Sequence, residues 1–214
     1  MRARELTALK RLGLAALLLA PVTALASAPA PTPGQVFDLY AQVIVHGDAA
    51  AQTTLARYLD TDNGPAFAAA LAAASHLDDA PELADWPKAA AALRKRQASV
   101  HCVTNSVHHP QADIADVDYR CHLPDLTALL PVYRAHPVPF NGPHPPQMSS
   151  ELATAYTQMI ATAPDRERII TVSFERDHDG GAWRVQNPSP LMGGLADAFL
   201  PFFEWNEHPP GEDR

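Results

Sequence analysis

Two cysteines and a set of histidines are the residues whose types and spacing could do chemistry in this chain. Cys102 and Cys121 sit in segments that alternate: Val100, Cys102 and Thr104 against Ser99, His101 and Val103, then Val117, Tyr119 and Cys121. If these are antiparallel strands with the cysteines opposite each other, His101 lies across from His122, Val103 from Arg120 and Thr104 from Tyr119. An even cysteine count favours one disulfide between Cys102 and Cys121. His101 and His122 then meet on the face opposite the sulfurs. His108 and His109 fall in the connecting loop, near Asp113 and Asp116, and together these residues could offer a zinc or copper ion its ligands. Their spacing matches no established ligand signature, and the competing reading is solvated strand and loop histidines.

Other constellations are missing. No Gly-x-Ser-x-Gly, no phosphate-binding glycine loop and no His-Glu-x-x-His motif occurs. Tyr119, Asp118 and His101 lie close in this register, yet alternation sends Tyr119 to one face and the other two to the opposite one. No acid–base pair converges, so the expectation is a protein without catalytic residues and without a cofactor.

The elements that position these residues follow from hydrophobic period. A first helix is expected from Gln35 to His46, with Val36, Phe37, Tyr40, Val43 and Ile44 on one side and Gly47 closing it. Asp48 caps a second helix carrying Leu55, Tyr58 and Leu59. Pro65 opens a third, running to about Leu77, and a fourth is expected from Pro87 to Arg96 with Trp86 as its anchor. After the cysteine strands, Asp125 caps a helical excursion from Leu126 to Tyr133. The proline-rich run 134–147 excludes regular structure. A helix from Ser149 or Ser150 carries Leu152, Tyr156, Met159 and Ile160. The clearest hairpin is Ile170, Val172 and Phe174, then Asp179-Gly180-Gly181, then Trp183 and Val185, ended by Pro188. Leu191 to Phe203 reads as a terminal helix broken at Pro201.

Helices first, then antiparallel strands with a helical insertion, predict an α+β fold, with N-terminal helices packed on a curved antiparallel sheet. Residues 36–51 (VFDLYAQVIVHGDAAA) with Leu55 and Leu59 resemble the first helices of NTF2-like (cystatin-like) domains. Residues 172–185, Val-Ser-Phe-Glu-Arg through Gly-Gly-Ala-Trp-Arg-Val, are similar to their last strands. The resemblance covers about a sixth of the chain beyond its leader, and implies a cone-shaped fold. That family includes enzymes, ligand carriers and binding modules.

The N-terminus reads as a cleaved secretory signal over residues 1–28: Arg2, Arg4, Lys10 and Arg11, an apolar run from Leu12 to Ala20, then Ala26-Ser27-Ala28. Residues 29–34 form a proline-rich leader, 35–205 one domain and 206–214 a disordered tail. The chain has 16 Lys and Arg against 24 Asp and Glu, net −8; without the signal's four basic residues and Glu5 it stands at about −11. Such a charge disfavours nucleic acid and anionic lipid and permits a basic protein partner. No membrane insertion is expected after signal cleavage.

These readings converge on a periplasmic or secreted bacterial binding protein that recognises another protein, of the inhibitor, immunity or assembly type. Its expected contact surface is the proline-rich loop with Tyr133, Phe140 and Met148. The alternative is a carrier of a small ligand or metal, using the sheet's concave face or the histidines.

Overall fold

The computed structural model describes residues 31–176 and 180–208. The signal segment, the tail beyond His208, and Asp177 to Asp179 of the expected hairpin tip lie outside them.

Helix α1 spans Pro33–His46 and starts two residues before the sequence pattern suggested. Thr32 is the reason: its hydroxyl caps the Gln35 N–H while the Gln35 side chain accepts from the Thr32 N–H, and Pro33 takes the first turn. The leader therefore contributes the helix start. Gly47, at φ 59°, ends α1, and the Asp48 side chain immediately caps α2, Ala49–Leu59. Helix α3 (Gly64–Ala73) stops short of Leu77, where the Ser75 hydroxyl turns back to the Ala72 carbonyl at 2.7 Å. Short 3₁₀ turns at Leu77–Asp79 and Pro81–Leu83 lead to α4, Pro87–Gln97. The Trp86 indole, anchored as expected, donates to the Met148 carbonyl at 3.0 Å.

Strands β1 (His101–Gln111), β2 (Ile114–Pro124), β3 (Asp165–Glu175) and β4 (Arg184–Val185) form one curved antiparallel sheet in the order β1-β2-β3-β4. The cysteine register holds: His101 pairs with His122, Cys102 with Cys121, Val103 with Arg120 and Thr104 with Tyr119. The polar loop expected after Thr104 is instead strand. Two register shifts, between Thr104 and Ser106 and between His108 and Gln111, carry β1 to a tight turn at Ala112-Asp113. As an edge strand it is polar on both faces there, which hides its alternation, and the edge accommodates Pro110.

Between β2 and β3 lie a 3₁₀ turn at Thr127–Leu129, α5 (Leu130–Ala135), the irregular proline run and α6 (Ser150–Thr162), capped by Ser149. Helices α7 (Ser189–Phe199) and α8 (Phe202–Glu207) close the fold, so Asn206 and Glu207 belong to a helix and not to the tail.

The inner face of the sheet is filled. Ala115, Val117, Tyr119, Cys121 and Leu123 of β2 and Val172 and Phe174 of β3 are all buried there. Phe37 and Tyr40 of α1 lie with ring centroids 4.7 and 5.1 Å from Phe174. All five tyrosine hydroxyls bond main chain: Tyr40 to Trp183, Tyr119 to Phe37, Tyr133 to Phe202 and Tyr156 to Phe199 as donors, and Tyr58 as acceptor from the Trp183 N–H. Burial pushes Tyr119 and Tyr156 well above the ordinary phenol range. Among the described residues, no helix is long and apolar enough to cross a membrane.

Candidate functional site

The residues singled out by sequence divide into three groups. Cys102 and Cys121 form the disulfide, with an S–S distance of 2.05 Å and Cα atoms 4.1 Å apart.

The four histidines are not brought together. His101, His122 and His108 lie on the outer face, and His108 pairs with Asp116 seven residues along β1, roughly 20 Å from His101. His109 places its Nδ1 3.2 Å from the Ile114 carbonyl and its ring 5.7 Å from that of Trp183. The long hairpin separates groups that a loop would have let converge. Among the described residues, no group of three or more His, Cys, Asp or Glu is placed to hold a metal ion.

The loop set is corrected in two of its three members. Tyr133 and Met148 are buried in the core, while Phe140 is half-buried with its ring edge-on to the exposed Phe203. An apolar side chain in an irregular segment is as readily drawn into the core as presented to a partner.

On the outer sheet face the carboxylates serve as staples. Asp118 accepts from the Ser106 and Thr171 hydroxyls, both at 2.7 Å, and Asp116 accepts from Ser173 at 2.6 Å. Those donors hold the Asp118 carboxyl below the usual carboxylate range.

One cleft that gathers several polar groups was not foreseen from the sequence. An open cleft of about 570 Å³ is lined by His46 and Asp48 from the α1–α2 junction, Ser75, His76, Asp78 and Asp79 after α3, and Arg94, Gln97 and Ala98 at the end of α4. The last residues of α1 and α4 and the turn following α3 all reach its wall, so the partial negative charge of helix C-termini gathers there. Three carboxylates add to it, against one guanidinium already paired: Arg94 binds Asp78 through two nitrogens. His76 Nδ1 stands 3.6 Å from Asp79. The Arg94–Asp78 pair also borders a second depression of about 460 Å³, floored by Ala80, Leu83, Ala84, Pro87 and Ala90. The acidic cleft therefore runs into a second depression that shares Asp78, Asp79 and Arg94 with it.

Gln97 holds this arrangement together. It is one of two buried polar residues among the described residues, and its amide donates to Val45 and Ser75 carbonyls, both at 2.7 Å. A Cβ on Gly47 would stand 2.7 Å from the Ser75 hydroxyl, so the walls meet closely. Gln97→Leu strands the Val45 carbonyl and leaves that of Ser75 with only the Leu77 N–H, and is expected to lower unfolding free energy by about 1–3 kcal/mol in a urea titration.

His46 is exposed at the rim as a residue, yet the crevice around its ring desolvates it and holds its pKa below 6.5; His101 acts in the same direction, and Asp48 and the Gln97 backbone oppose. The folded protein thus binds fewer protons here than the unfolded chain between that depressed value and 6.5. Stability from this group is complete above 6.5 and is lost as pH falls through the folded value. His46→Gln is expected to flatten that part of a plot of urea midpoint against pH. An unchanged slope would remove His46 as its source.

No protein-family model matches the chain, and no curated protein matches it significantly. Among solved structures it is similar to YcdA, a Bacillus subtilis protein taken to be a lipoprotein, at 15% identity and a TM-score of 0.40. The alignment covers 78% of this chain and 55% of that one, so the chain spans about half the length of this neighbour.

Proposed function

We propose that this chain is an exported, non-enzymatic binding protein of the bacterial envelope that recognises a basic, amphipathic segment of another protein. The observation that carries the reading is the acidic cleft at the helix ends, continuous with the depression that Ala80, Pro87 and Ala90 line behind Arg94–Asp78. A cation of a partner would gain from Asp48, Asp79 and the helix C-termini, and an apolar side chain next to it would touch Pro87 and Ala90. The cleft is open and lined by charged and polar residues, unlike the enclosed apolar pockets that bury small ligands. The acidic balance of the chain favours encounter with a basic partner.

Export is supported by the basic and apolar leader in the sequence and by the disulfide, which persists in a periplasm or outside the cell. The absence of a catalytic role is supported by the tyrosine hydroxyls, all engaged with main chain, and by Asp116 and Asp118, engaged with Ser and Thr. The domain is read as NTF2-like because α1 packs across the inner face of a curved antiparallel sheet.

Calorimetric titration with an amphipathic Lys/Arg-rich peptide tests the reading. Binding should weaken with salt, and Asp48→Asn with Asp79→Asn should weaken it about three- to tenfold. Asn preserves the cap of α2, so the double variant should stay folded. Equal affinity for a peptide with Gln at every Lys and Arg would contradict it.

A further inference from the structure

The edge of β3 beside β4 is open over most of its length. β4 covers only Phe174 and Glu175, and the Gln186 N–H adds one bond to the Ser173 carbonyl at 3.0 Å. Main-chain groups alternate along a strand, so Thr171, Ile169 and Glu167 direct their N–H and C=O toward that same side. No strand of the described residues pairs with them there. Their side chains are exposed on the outer face, and Ile169, at 50%, is one of the most exposed large apolar residues described. Natural edges are ordinarily blunted by charged side chains, a proline or a covering element; of these three residues only Glu167 is charged and none is a proline. The opposite edge is managed: Asp38 of α1 accepts from the Thr104 N–H of β1 at 2.9 Å.

We infer that this edge pairs with a second copy of the chain, β3 against β3 antiparallel about a two-fold axis at Ile169. The choice of register follows from charge and length. Centring the pair on Glu167 sets Glu167 against itself and Arg166 against Arg168, and centring it on Arg168 sets that residue against itself. Centring it on Ile170 drives Glu167 onto Ser173, whose edge carbonyl Gln186 already holds, and leaves only Ile169 and Thr171 to exchange hydrogen bonds across the contact. Centring it on Ile169 pairs residues 167–171 with no like charges opposed: Glu167 meets Thr171, Arg168 meets Ile170, and Ile169 meets its own copy. The two-fold makes the contact isologous, and therefore closed at two copies. Helix α7 packs under the same strand, with Gly194 against Ile170, and fixes the edge from below. A five-residue strand contact is small, so the dimer forms at high micromolar concentration and dissociates on dilution.

The test uses the full exported protein. Ile169→Cys puts two thiols opposite each other in a hydrogen-bonded pair, about 5.5 Å between Cα atoms, within disulfide reach. Both native cysteines are already bonded to each other. Under mild oxidation, Ile169→Cys should give a disulfide-linked dimer, whereas Thr171→Cys, which faces Glu167 of the other copy, should cross-link at least about tenfold more slowly. Sedimentation equilibrium of the unmodified chain should show a monomer–dimer transition that Ile169→Lys abolishes. Equal cross-linking by the two cysteine variants would overturn the register. A monomer at all concentrations, or a dimer indifferent to Ile169→Lys, would overturn the interface.

Discussion

Phe174→Ala is expected to lower the unfolding free energy by about 3–5 kcal/mol. Phe174 is fully buried at the centre of the filled inner face, and the rings of Phe37 and Tyr40 both pack on it. Truncation leaves a cavity between α1 and the sheet that neither element closes easily. The Tyr119 hydroxyl ties β2 to the Phe37 carbonyl, and the Tyr40 hydroxyl ties α1 to Trp183. Urea unfolding followed by tryptophan fluorescence measures the loss. A cost below about 1 kcal/mol would mean that the helix and the sheet are not one cooperative core.

The second large effect belongs to the disulfide. Replacing Cys102 and Cys121 together by serine opens a loop with a sequence separation of 19 and is expected to cost about 3 kcal/mol in the chain-entropy model. The bond joins the edge strand β1 to β2, so its removal should also loosen β1 first. Hydrogen exchange of the double variant should quicken in residues 101–111 before it does in β3. A uniform rise across the sheet would instead mean that the bond stabilises only through the unfolded chain.

Elements governed by neighbouring residues were legible. Asp48 caps the helix it was expected to cap, and the helix expected from Ser149 or Ser150 begins at Ser150 with Ser149 as its cap, because a cap needs only a side-chain oxygen and the N–H groups that follow. The β1–β2 register was legible because one cysteine pair and strict alternation leave a single alignment. Thr32 and Pro33 carried a helix-start signal that their proline-rich surroundings masked. The far half of β1 was hidden for a different reason: an edge strand with two register shifts and polar residues on both faces has no period to read.

The cleft could not be read locally at all. Its residues come from three separate stretches, 46–48, 75–79 and 94–98, each uninformative alone. The available signals were Gly47 between two helices and Arg94 on the helix that follows Asp78-Asp79, and neither says that the stretches meet. Gln97, which joins two of them, is an ordinary helix residue until its burial is known. Sequence likewise had no means of separating Phe140, which keeps an accessible ring, from Tyr133 and Met148, which are spent in the core.

The most direct test of the central claim is backbone amide NMR of the exported domain, titrated with the amphipathic Lys/Arg-rich peptide at low salt. Shifts confined to residues 46–48, 75–84 and 90–98, and lost in the Asp48→Asn/Asp79→Asn variant, are the predicted result. No shifts at millimolar peptide, or shifts centred on the outer sheet face or on Phe140 and Phe203, would contradict it.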